Sequence, residues 1–458
     1  MPPQEINSSP QVIAPATNIP VAPLQNPPKK HPVRKAIKYF FITLALIIII
    51  ILGLVISLSV FAKDTPPVDD QDLQPKFNIP ARQDNMYYDL NEVKESAKET
   101  NEVMGYLENK NWDEAAIKQL ISENAETFNK LDQAAKKTSF HDPYYADSET
   151  PIGAKEEEPP HLAAYQKLAR LNTLRAMNLI NEGKTEEGVN VILATLSIGD
   201  AFEKSGDSMI TYLVGSAIKH IALSGLQQSI PKMTYTQEQF NQLNGKLMGY
   251  SAKPEGLANG FKHEYKNQTY AINQMATGQG NNYTGSHPAE IVLSVVSKSK
   301  FYHQPNKSKQ LYVDLYRAHL KELANPCSQI KSIGVERQPA NIFFQENGLG
   351  LLLFNIGAVS FSGTINTKCI VDFNLNATRV LLALRAYQLD NKSLPNSLQE
   401  LTPAYISQLP IDPYDDQPLK YSKSKKVIYS VGQDKNNNES IADTDNTETQ
   451  NYRKLINF

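Results

Sequence analysis

Oxygen-bearing side chains near the C-terminal end of the chain recur at the spacing of a calcium-binding loop. In such a loop, donors at alternate positions turn towards one cation and a carboxylate at the twelfth position closes the shell. Glu439 stands where these loops usually have glycine, and the closing residue is an aspartate rather than a longer glutamate. The alternative interpretation is a solvated polar tail. The predicted calcium ligands are Asp434, Asn436, Asn438, Ser440 and Asp445 at positions 1, 3, 5, 7 and 12, with Asp443 as a substitute closing residue.

The histidines give no comparable pattern for metal-dependent catalysis. His263-Glu264 is half of a zinc-protease motif, but Asn267 and Gln268 follow where a second ligand would stand, so we expect the pair to lie on the surface. The chain also lacks the motifs of phosphate-binding loops, dinucleotide-binding sites and hydrolase nucleophiles. We therefore expect no catalytic residues, although distant residues can converge on a site. The eight histidines are residues 31, 141, 161, 220, 263, 287, 303 and 319.

One segment near the N-terminus has the length and composition of a membrane span. Residues 39–62 carry no charge, and at about 1.5 Å per residue they cross a hydrocarbon core of about 30 Å. Lysines and an arginine precede the segment and aspartates follow it, so the N-terminus should be cytoplasmic. We predict a single-pass protein of the cell (inner) membrane with its C-terminal domain outside the cytoplasm. A cleaved signal peptide is the alternative, but its apolar core is typically only about 7–15 residues long.

The segments on either side of this span are rich in proline. Residues 1–38 have little to bury and are predicted to be a disordered cytoplasmic tail. Residues 63–85 are predicted to be an extended stalk linker that lifts the rest of the chain off the membrane.

The middle of the chain, residues 86–340, has the apolar periodicity of helices interrupted by short turns. The clearest helices are predicted at residues 161–181 and 185–204, and a third at 208–230. The first two, with the turn between them, resemble one unit of a tetratricopeptide-type solenoid, but no second copy follows at a fixed period. We therefore predict a mainly α fold, an irregular antiparallel array of helices suited to protein binding.

The character of the chain changes after residue 340. Residues 341–370 include a short apolar run that we expect to be a buried connecting segment rather than a second span. Residues 371–458 begin with an amphipathic helix, predicted at 371–390, and continue with turns and short strands, so they form a small α+β module. The predicted strands are Leu419–Tyr421 and Val427–Ser430.

The order of motifs in this module resembles the C-terminal globular part of type II secretion major pseudopilins. A helix ending in ALxxYxxDNxxxP is followed by SLxxL, by LPxDPY and by a tyrosine-rich hairpin ending in YSVGQD. The resemblance implies a pseudopilin-like fold and, because pseudopilins of this type bind calcium in the equivalent region, it favours the calcium hypothesis. Anchored bacterial proteins of unassigned function have a similar tail. The matching residues are Ala383, Leu384, Tyr387, Asp390, Asn391, Pro395, Leu398, Leu401, Pro410, Asp412, Pro413, Tyr414, Tyr421, Tyr429, Ser430, Gly432 and Asp434.

Composition and topology narrow the classes of function. A hydrophobic content of 41% is ordinary for a folded protein, and a net charge of -2 gives no reason to expect a nucleic-acid partner. The two cysteines, Cys327 and Cys369, either pair in an oxidising compartment or remain buried thiols.

The leading functional hypothesis is an anchored extracytoplasmic scaffold or protein-interaction protein without catalytic activity. More than 300 residues separate the span from the module, whereas in pseudopilins the membrane helix continues directly into this fold. An anchored platform is therefore favoured over a pilus subunit. Its partners would be the lipid bilayer and a protein that the sequence does not identify. A component or adaptor of a type II secretion or type IV pilus-like apparatus is the alternative, and a cell-envelope hydrolase is the third hypothesis.

Overall fold

The computed structural model describes residues 32–76, 79–145, 162–277, 298–337, 345–435 and 455–457. The chain divides into two compact units, Met1–Val60 and Phe61–Phe458. Its described part is mainly helical, as predicted, with one small antiparallel sheet. The helices are α1 (Pro32–Phe61), α2 (Tyr87–Val93), α3 (Val103–Leu107), α4 (Glu114–Glu123), α5 (Ala125–Ala134), α6 (Ala163–Asn181), α7 (Thr185–Ser205), α8 (Met209–Ser229), α9 (Gln237–Leu247), α10 (Pro254–Thr277), α11 (Pro305–Ala324), α12 (Gly348–Gly357) and α13 (Ser362–Asn391); the strands are β1 (Lys420–Ser422), β2 (Val427–Tyr429) and β3 (Leu455–Asn457).

Among the described residues, three helical segments are long and apolar enough to cross a membrane. Arg34–Leu54 in α1 has a mean hydropathy of 2.7, and none of its most apolar window is buried inside the protein. The second segment, Met209–Lys232, is α8 with its following turn, and 61% of its window is buried. The third, Gly348–Asn391, combines α12 and α13, and 33% of its window is buried. Length and composition therefore give three candidate spans where the sequence predicts one.

Residues 64–76, which we call the strap, lie against helices α10 and α11 instead of forming the free stalk that the sequence predicts. Asp64 accepts hydrogen bonds from the backbone nitrogens of Asn306 (2.8 Å) and Lys307 (3.1 Å). These two nitrogens belong to the first turn of α11, where backbone donors have no partner within the helix. Asp64 therefore caps α11 from a distant part of the chain.

The other end of the strap is held by an ion pair and by one buried leucine. Arg317 of α11 donates from Nε and Nη2 to the two carboxylate oxygens of Asp72, at 3.0 and 2.7 Å. Leu73 is fully buried in the core that α10 and α11 share. The segment includes a short 3-10 turn, Gln71–Leu73, and it carries its own anchoring side chains, so it is not a solvated spacer.

Helices α6, α7 and α8 form the centre of the second unit, and their bounds confirm the three predicted helices to within two residues. Helices α7 and α8 cross at glycines. A Cβ on Gly199 would lie 2.8 Å from the carbonyl oxygen of Gly215, and a Cβ on Gly215 would lie 2.6 Å from that of Gly199. Only glycine permits this approach. The close crossing brings Lys219, one turn beyond Gly215, beside Glu203, one turn beyond Gly199.

Among the described residues, three large apolar clusters lie around this centre, and a fourth, small one contains Cys369. One joins α6, α7 and α8 to α9, α13 and the β-hairpin. Another joins them to helices α2 to α5. The third lies between α10, α11, α12 and the start of α13. The C-terminal module therefore shares a core with the helices instead of standing apart from them.

Helix α13 begins at Ser362, nine residues before the predicted start, because the apolar pattern continues upstream through Ile365 and Cys369, both fully buried. Cys369 forms a disulfide with Cys327, which follows α11. The apolar run before α13 forms a helix, α12, which buries Gly348, Leu349, Gly350 and Phe354. Ile356, on the solvent side of α12, is 72% exposed.

The sheet follows α13 after a series of turns. Strands β1 and β2 pair antiparallel as a hairpin, with Tyr421 opposite Ile428, which confirms the predicted strands to within one residue at each end. Strand β3 adds to the other edge of β2, with Ile456 opposite Ile428. The sequence does not predict β3.

Candidate functional site

Asp412, the aspartate of the LPxDPY motif, is fully buried beneath the hairpin. Its Oδ1 accepts hydrogen bonds from the backbone nitrogen of Tyr414 (3.1 Å) and from Oγ of Ser430 (2.7 Å), and its Oδ2 accepts from the nitrogen of Val431 (2.8 Å). Burial raises the pKa of Asp412, although these three donors act against that rise. The carboxylate therefore joins the turn before β1 to the end of β2, and we call it the hairpin pin.

The tyrosines of the motif also have hydrogen-bond partners in the fold. Tyr414 donates from its hydroxyl to Oδ1 of Asn366 on α13 (2.9 Å), and Tyr421 donates to the carbonyl of Pro395 (3.0 Å). Such contacts suit rings that pack on one side and keep a polar tip. The LPxDPY motif and the tyrosine of β1 thus act here as packing and hydrogen-bonding residues.

The structure describes only one of the six predicted calcium ligands, Asp434, in the turn after β2. The turn is shaped by Gly432 and Lys435, which both have positive φ angles, and Nζ of Lys435 donates to the carbonyl of Ser328 (2.6 Å). Within the described part of the chain, no group of three or more histidine, cysteine, aspartate or glutamate side chains is arranged to hold a metal ion. Calcium binding remains a prediction. The other five ligands, Asn436, Asn438, Ser440, Asp443 and Asp445, lie outside the described residues.

A buried ionic network lies where α7 and α8 cross. Nζ of Lys219 lies 2.6 Å from Oε2 of Glu203 and 2.9 Å from Oδ1 of Asp200, and it donates to the carbonyl of Ser251 (3.2 Å). Burial raises the pKa of Glu203 even though the lysine charge acts in the opposite direction. Burial also acts to raise the pKa of Asp200, but Lys219 and the neighbouring lysines lower it overall.

A cavity of about 220 Å³ lies beside this network, between α8 and α13. Its lining is mostly apolar, and its polar lining residues include Lys219, Asn374 and Ser216, whose Oγ donates to Oε1 of Glu203 (2.8 Å). The buried Oδ1 of Asn374 has no hydrogen-bond partner among the described residues. Because Lys219 of α8 pairs with two carboxylates of α7, the network joins the two helices where they cross.

A second buried polar pair resembles half of a catalytic triad. Nδ1 of His141 lies 2.6 Å from Oδ1 of Asp207, and the backbone nitrogen of Asp142 donates to Oδ2 of Asp207 (2.9 Å). Nε2 of His141, the atom that a general base would present to a substrate, is buried and has no hydrogen-bond partner in the described part of the structure. The pair therefore ties the segment after α5 to the turn between α7 and α8. Sequence reasoning missed it because 66 residues separate its members.

The expectation that His263 lies on the surface is wrong. His263 is on the inner side of α10 and is only 7% exposed. Burial, together with the nearby Lys266 and His141, lowers its pKa to about 4, so the ring is neutral near pH 7. Burial raises the pKa of the adjacent Glu264. We interpret the pair as part of the helix packing, because the described residues include no metal-binding group of side chains that contains it.

A groove of about 230 Å³ lies where the end of α8 meets α13 and the hairpin. Its floor is apolar, with Ile230, Leu381 and Leu384, while Arg385 and Lys426 line it with positive charge. Nη1 of Arg385 donates to a glutamine on the same helix, but its Nε is buried and unpartnered among the described residues. An apolar floor beside an incompletely satisfied cation can hold an aliphatic side chain next to a carboxylate.

Comparisons of the chain with protein-family models, with curated proteins and with solved structures find no match.

Proposed function

We propose that this chain is a single-pass membrane protein that holds a helical platform for protein partners outside the cytoplasm. Helix α1 is the proposed membrane anchor, because its described side chains are exposed along an apolar segment. Exposed apolar side chains on a long helix are stable in lipid and costly in water.

The other two candidate spans are better explained as parts of the helical domain. Helix α8 packs against α6, α7, α10 and α13, and its fully buried Lys219 already has carboxylate partners there. The segment Gly348–Asn391 is interrupted between α12 and α13, at residues 358–361. Neither segment offers one continuous apolar surface to lipid.

The disulfide between Cys327 and Cys369 is the observation that carries the proposal for location. Disulfides persist in oxidising compartments and are rare in the cytosol. The bond therefore supports the same orientation as the basic residues before α1, with the helical domain outside the cytoplasm.

Cysteine labelling of the full chain tests this orientation. The native cysteines are paired, so single substitutions Ser8→Cys and Lys246→Cys, on opposite sides of α1 in sequence, report separately. A membrane-impermeant maleimide added to intact cells should label Lys246→Cys and should reach Ser8→Cys only after the membrane is opened. The reverse pattern, or equal labelling of both, would refute the proposal.

The groove between α8, α13 and the hairpin supports the role of a platform. Its apolar floor and cationic lining suit a partner segment that combines an aliphatic residue with an acidic one. A photo-crosslinking residue in place of Lys426 should capture a defined protein partner in the native membrane, whereas the same residue in place of Lys246 on α9 should not. Arg385→Glu should reduce the adduct. Equal adducts from both positions, or no effect of Arg385→Glu, would count against this groove.

A second candidate function is an adaptor of a type II secretion or pilus-like apparatus, with calcium ordering the loop after β2. The agreement between the predicted and observed hairpin favours it, since the pseudopilin-like motifs occupy a helix, a pinned turn and two strands in the expected order. Millimolar calcium should raise the melting temperature of the full chain, and Asp434→Ala should abolish that rise. No shift with calcium, together with no crosslink to pilin-like proteins, would exclude this candidate.

A further inference from the structure

The cavity of about 220 Å³ between α8 and α13 is lined by one face of each helix. On α8 its lining includes Leu213, Ala217 and His220, and on α13 it includes Ile370 and Asn374. Residues three or four apart share one side of a helix. His220 is exposed, whereas Asn374 is only 1% exposed, so the lining extends from the surface to a buried amide.

Asn374 contributes a hydrogen-bond acceptor at the buried end of this lining. Its Nδ2 donates to the carbonyl of Ile370, one turn earlier on α13 (2.8 Å), and this bond fixes which end of the amide is the acceptor. Oδ1 is buried and has no hydrogen-bond partner among the described residues. A buried acceptor is costly unless a donor reaches it. A molecule that brings one N–H or O–H to Oδ1 would therefore gain this bond in addition to apolar contacts.

The two polar residues that the cavity shares with the ionic network direct their donors to that network. Nζ of Lys219 lies 2.6 Å from Oε2 of Glu203 and donates to the carbonyl of Ser251 (3.2 Å). Oγ of Ser216 donates to Oε1 of Glu203 (2.8 Å). A charged head group inside the cavity would lose its water, and the lysine of the lining is already paired with carboxylates. The lining therefore favours a neutral molecule with a donor.

The volume of the cavity limits the size of such a molecule. A cavity of about 150 Å³ with apolar walls holds benzene, so this one has room for about nine non-hydrogen atoms. We propose that the cavity binds a neutral aliphatic molecule of about this size, such as a medium-chain alcohol, whose hydroxyl donates to Oδ1 of Asn374. This ligand site is independent of the proposed platform function.

Photolabelling of the full chain in phosphatidylcholine nanodiscs tests the site. The probe is an octanol with a photoreactive diazirine in its chain, and mass spectrometry of the digested protein locates the adducts. We expect saturable adducts on α8 and α13 around Ala217 and Ile370, and the competitor 1-octanol should remove them. Heptyl methyl ether has the same number of non-hydrogen atoms but no donor, so it should compete about five-fold more weakly. Octanoate and octylammonium should also compete more weakly than the alcohol, because their charges must be desolvated.

Two substitutions separate the room for the chain from the contact with the donor. Ala217→Leu places additional carbon atoms in the cavity and should reduce the adduct about ten-fold, whereas Ala115→Leu, at an exposed position of α4, should leave it unchanged. Asn374→Leu removes the acceptor at similar volume, so it should weaken competition by 1-octanol about five-fold and leave competition by the ether unchanged. Melting temperatures show whether each variant is folded.

The comparison of the alcohol with the ether uses the wild-type chain, so it remains decisive if a variant does not fold. No saturable adduct on α8 and α13 would overturn the site, as would be found if another segment of this chain fills the cavity. Equal competition by the alcohol and the ether would overturn the role of Asn374. An adduct that persists in folded Ala217→Leu would place the probe outside the cavity and overturn the proposal.

Discussion

The strap and the hairpin pin are both non-helical attachments made by aspartates, but they lie in opposite environments. Asp412 is buried and satisfies three donors within about twenty residues of itself in sequence. Asp64 and Asp72 lie on the surface and hold residues that are more than 240 positions away. The pin therefore maintains a local fold, whereas the strap joins parts of the chain that are far apart in sequence.

The same difference appears in the pKa values of the two attachments. Burial raises the pKa of Asp412, so its ionised form is costly in the folded chain. The hydrogen bond from the Arg317 guanidinium lowers the pKa of Asp72, so its ionised form is favoured there. Acid should therefore weaken the ion pair that Asp72 of the strap forms with Arg317. At the hairpin pin, protonation of Asp412 should instead remove the cost of a buried charge. The predictions below test this contrast from the largest expected effect to the smallest.

The largest effect should come from the covalent bond beside the pin. The double variant Cys327→Ser, Cys369→Ser removes a bond between residues that are 42 positions apart in sequence. The unfolding free energy should therefore fall by about 4 kcal/mol. Urea unfolding measures the loss, and reduction of the wild-type protein should reproduce it. Hydrogen exchange should rise around Tyr414 and Val431, which pack against Cys369, but not in the strap. An unchanged urea midpoint would show that the disulfide does not constrain the unfolded chain.

Asp412→Ala should produce the next largest loss. The change leaves Ser430, Tyr414 and Val431 with buried donors and no acceptor, which should cost roughly 3 kcal/mol in total after the relief of the buried charge. Asp390→Ala is the control, because Asp390 is exposed and accepts one bond from Tyr405, so its loss should stay below about 0.5 kcal/mol. Equal losses in the two variants would mean that burial does not distinguish the pin.

The local half of this comparison could be predicted from the sequence. The glycines of the turn after α6 and of the C-terminal cap of α7 mark where those helices end, and both glycines have positive φ angles. The prolines and tyrosines of the C-terminal motif likewise indicate turns and short strands near where they are found. Each of these signals acts over a few residues, so a single sequence contains it.

The long-range half could not be predicted. Nothing in the sequence near Asp64 indicates that its carboxylate oxygens meet the first turn of α11. The same holds for His141 with Asp207, and for Lys219, whose carboxylate partner Glu203 lies on the preceding helix. Such pairs depend on how helices cross, and in this chain the glycine contact of α7 with α8 determines that crossing.

Asp64→Ala should have a smaller effect than the loss of the pin, because the cap is exposed. The unfolding free energy should fall by about 0.5–1 kcal/mol. Hydrogen exchange should rise in the strap and in the first turn of α11, while α6 to α8 should stay protected. Asp64→Asn is the matched control, since asparagine keeps an acceptor at the cap and should restore most of the protection. Equal exchange in both variants would show that the cap does not hold the strap.

The smallest effect should be the response of the strap to acid. Because the folded pKa of Asp72 is lowered, its contribution is present above the unfolded value of 3.8 and is lost as the pH falls through the lower folded value. The pair is largely exposed, so the change should stay within about 1 kcal/mol. Pulsed hydrogen exchange of residues 64–76, referred to the protection of α6 to α8 at the same pH, should show a step in acid. Arg317→Ala should lack the step and Arg317→Lys should retain part of it, because lysine keeps the charge but not the two parallel bonds. An identical step in Arg317→Ala would assign the acid response to another group and leave the strap held chiefly by the burial of Leu73.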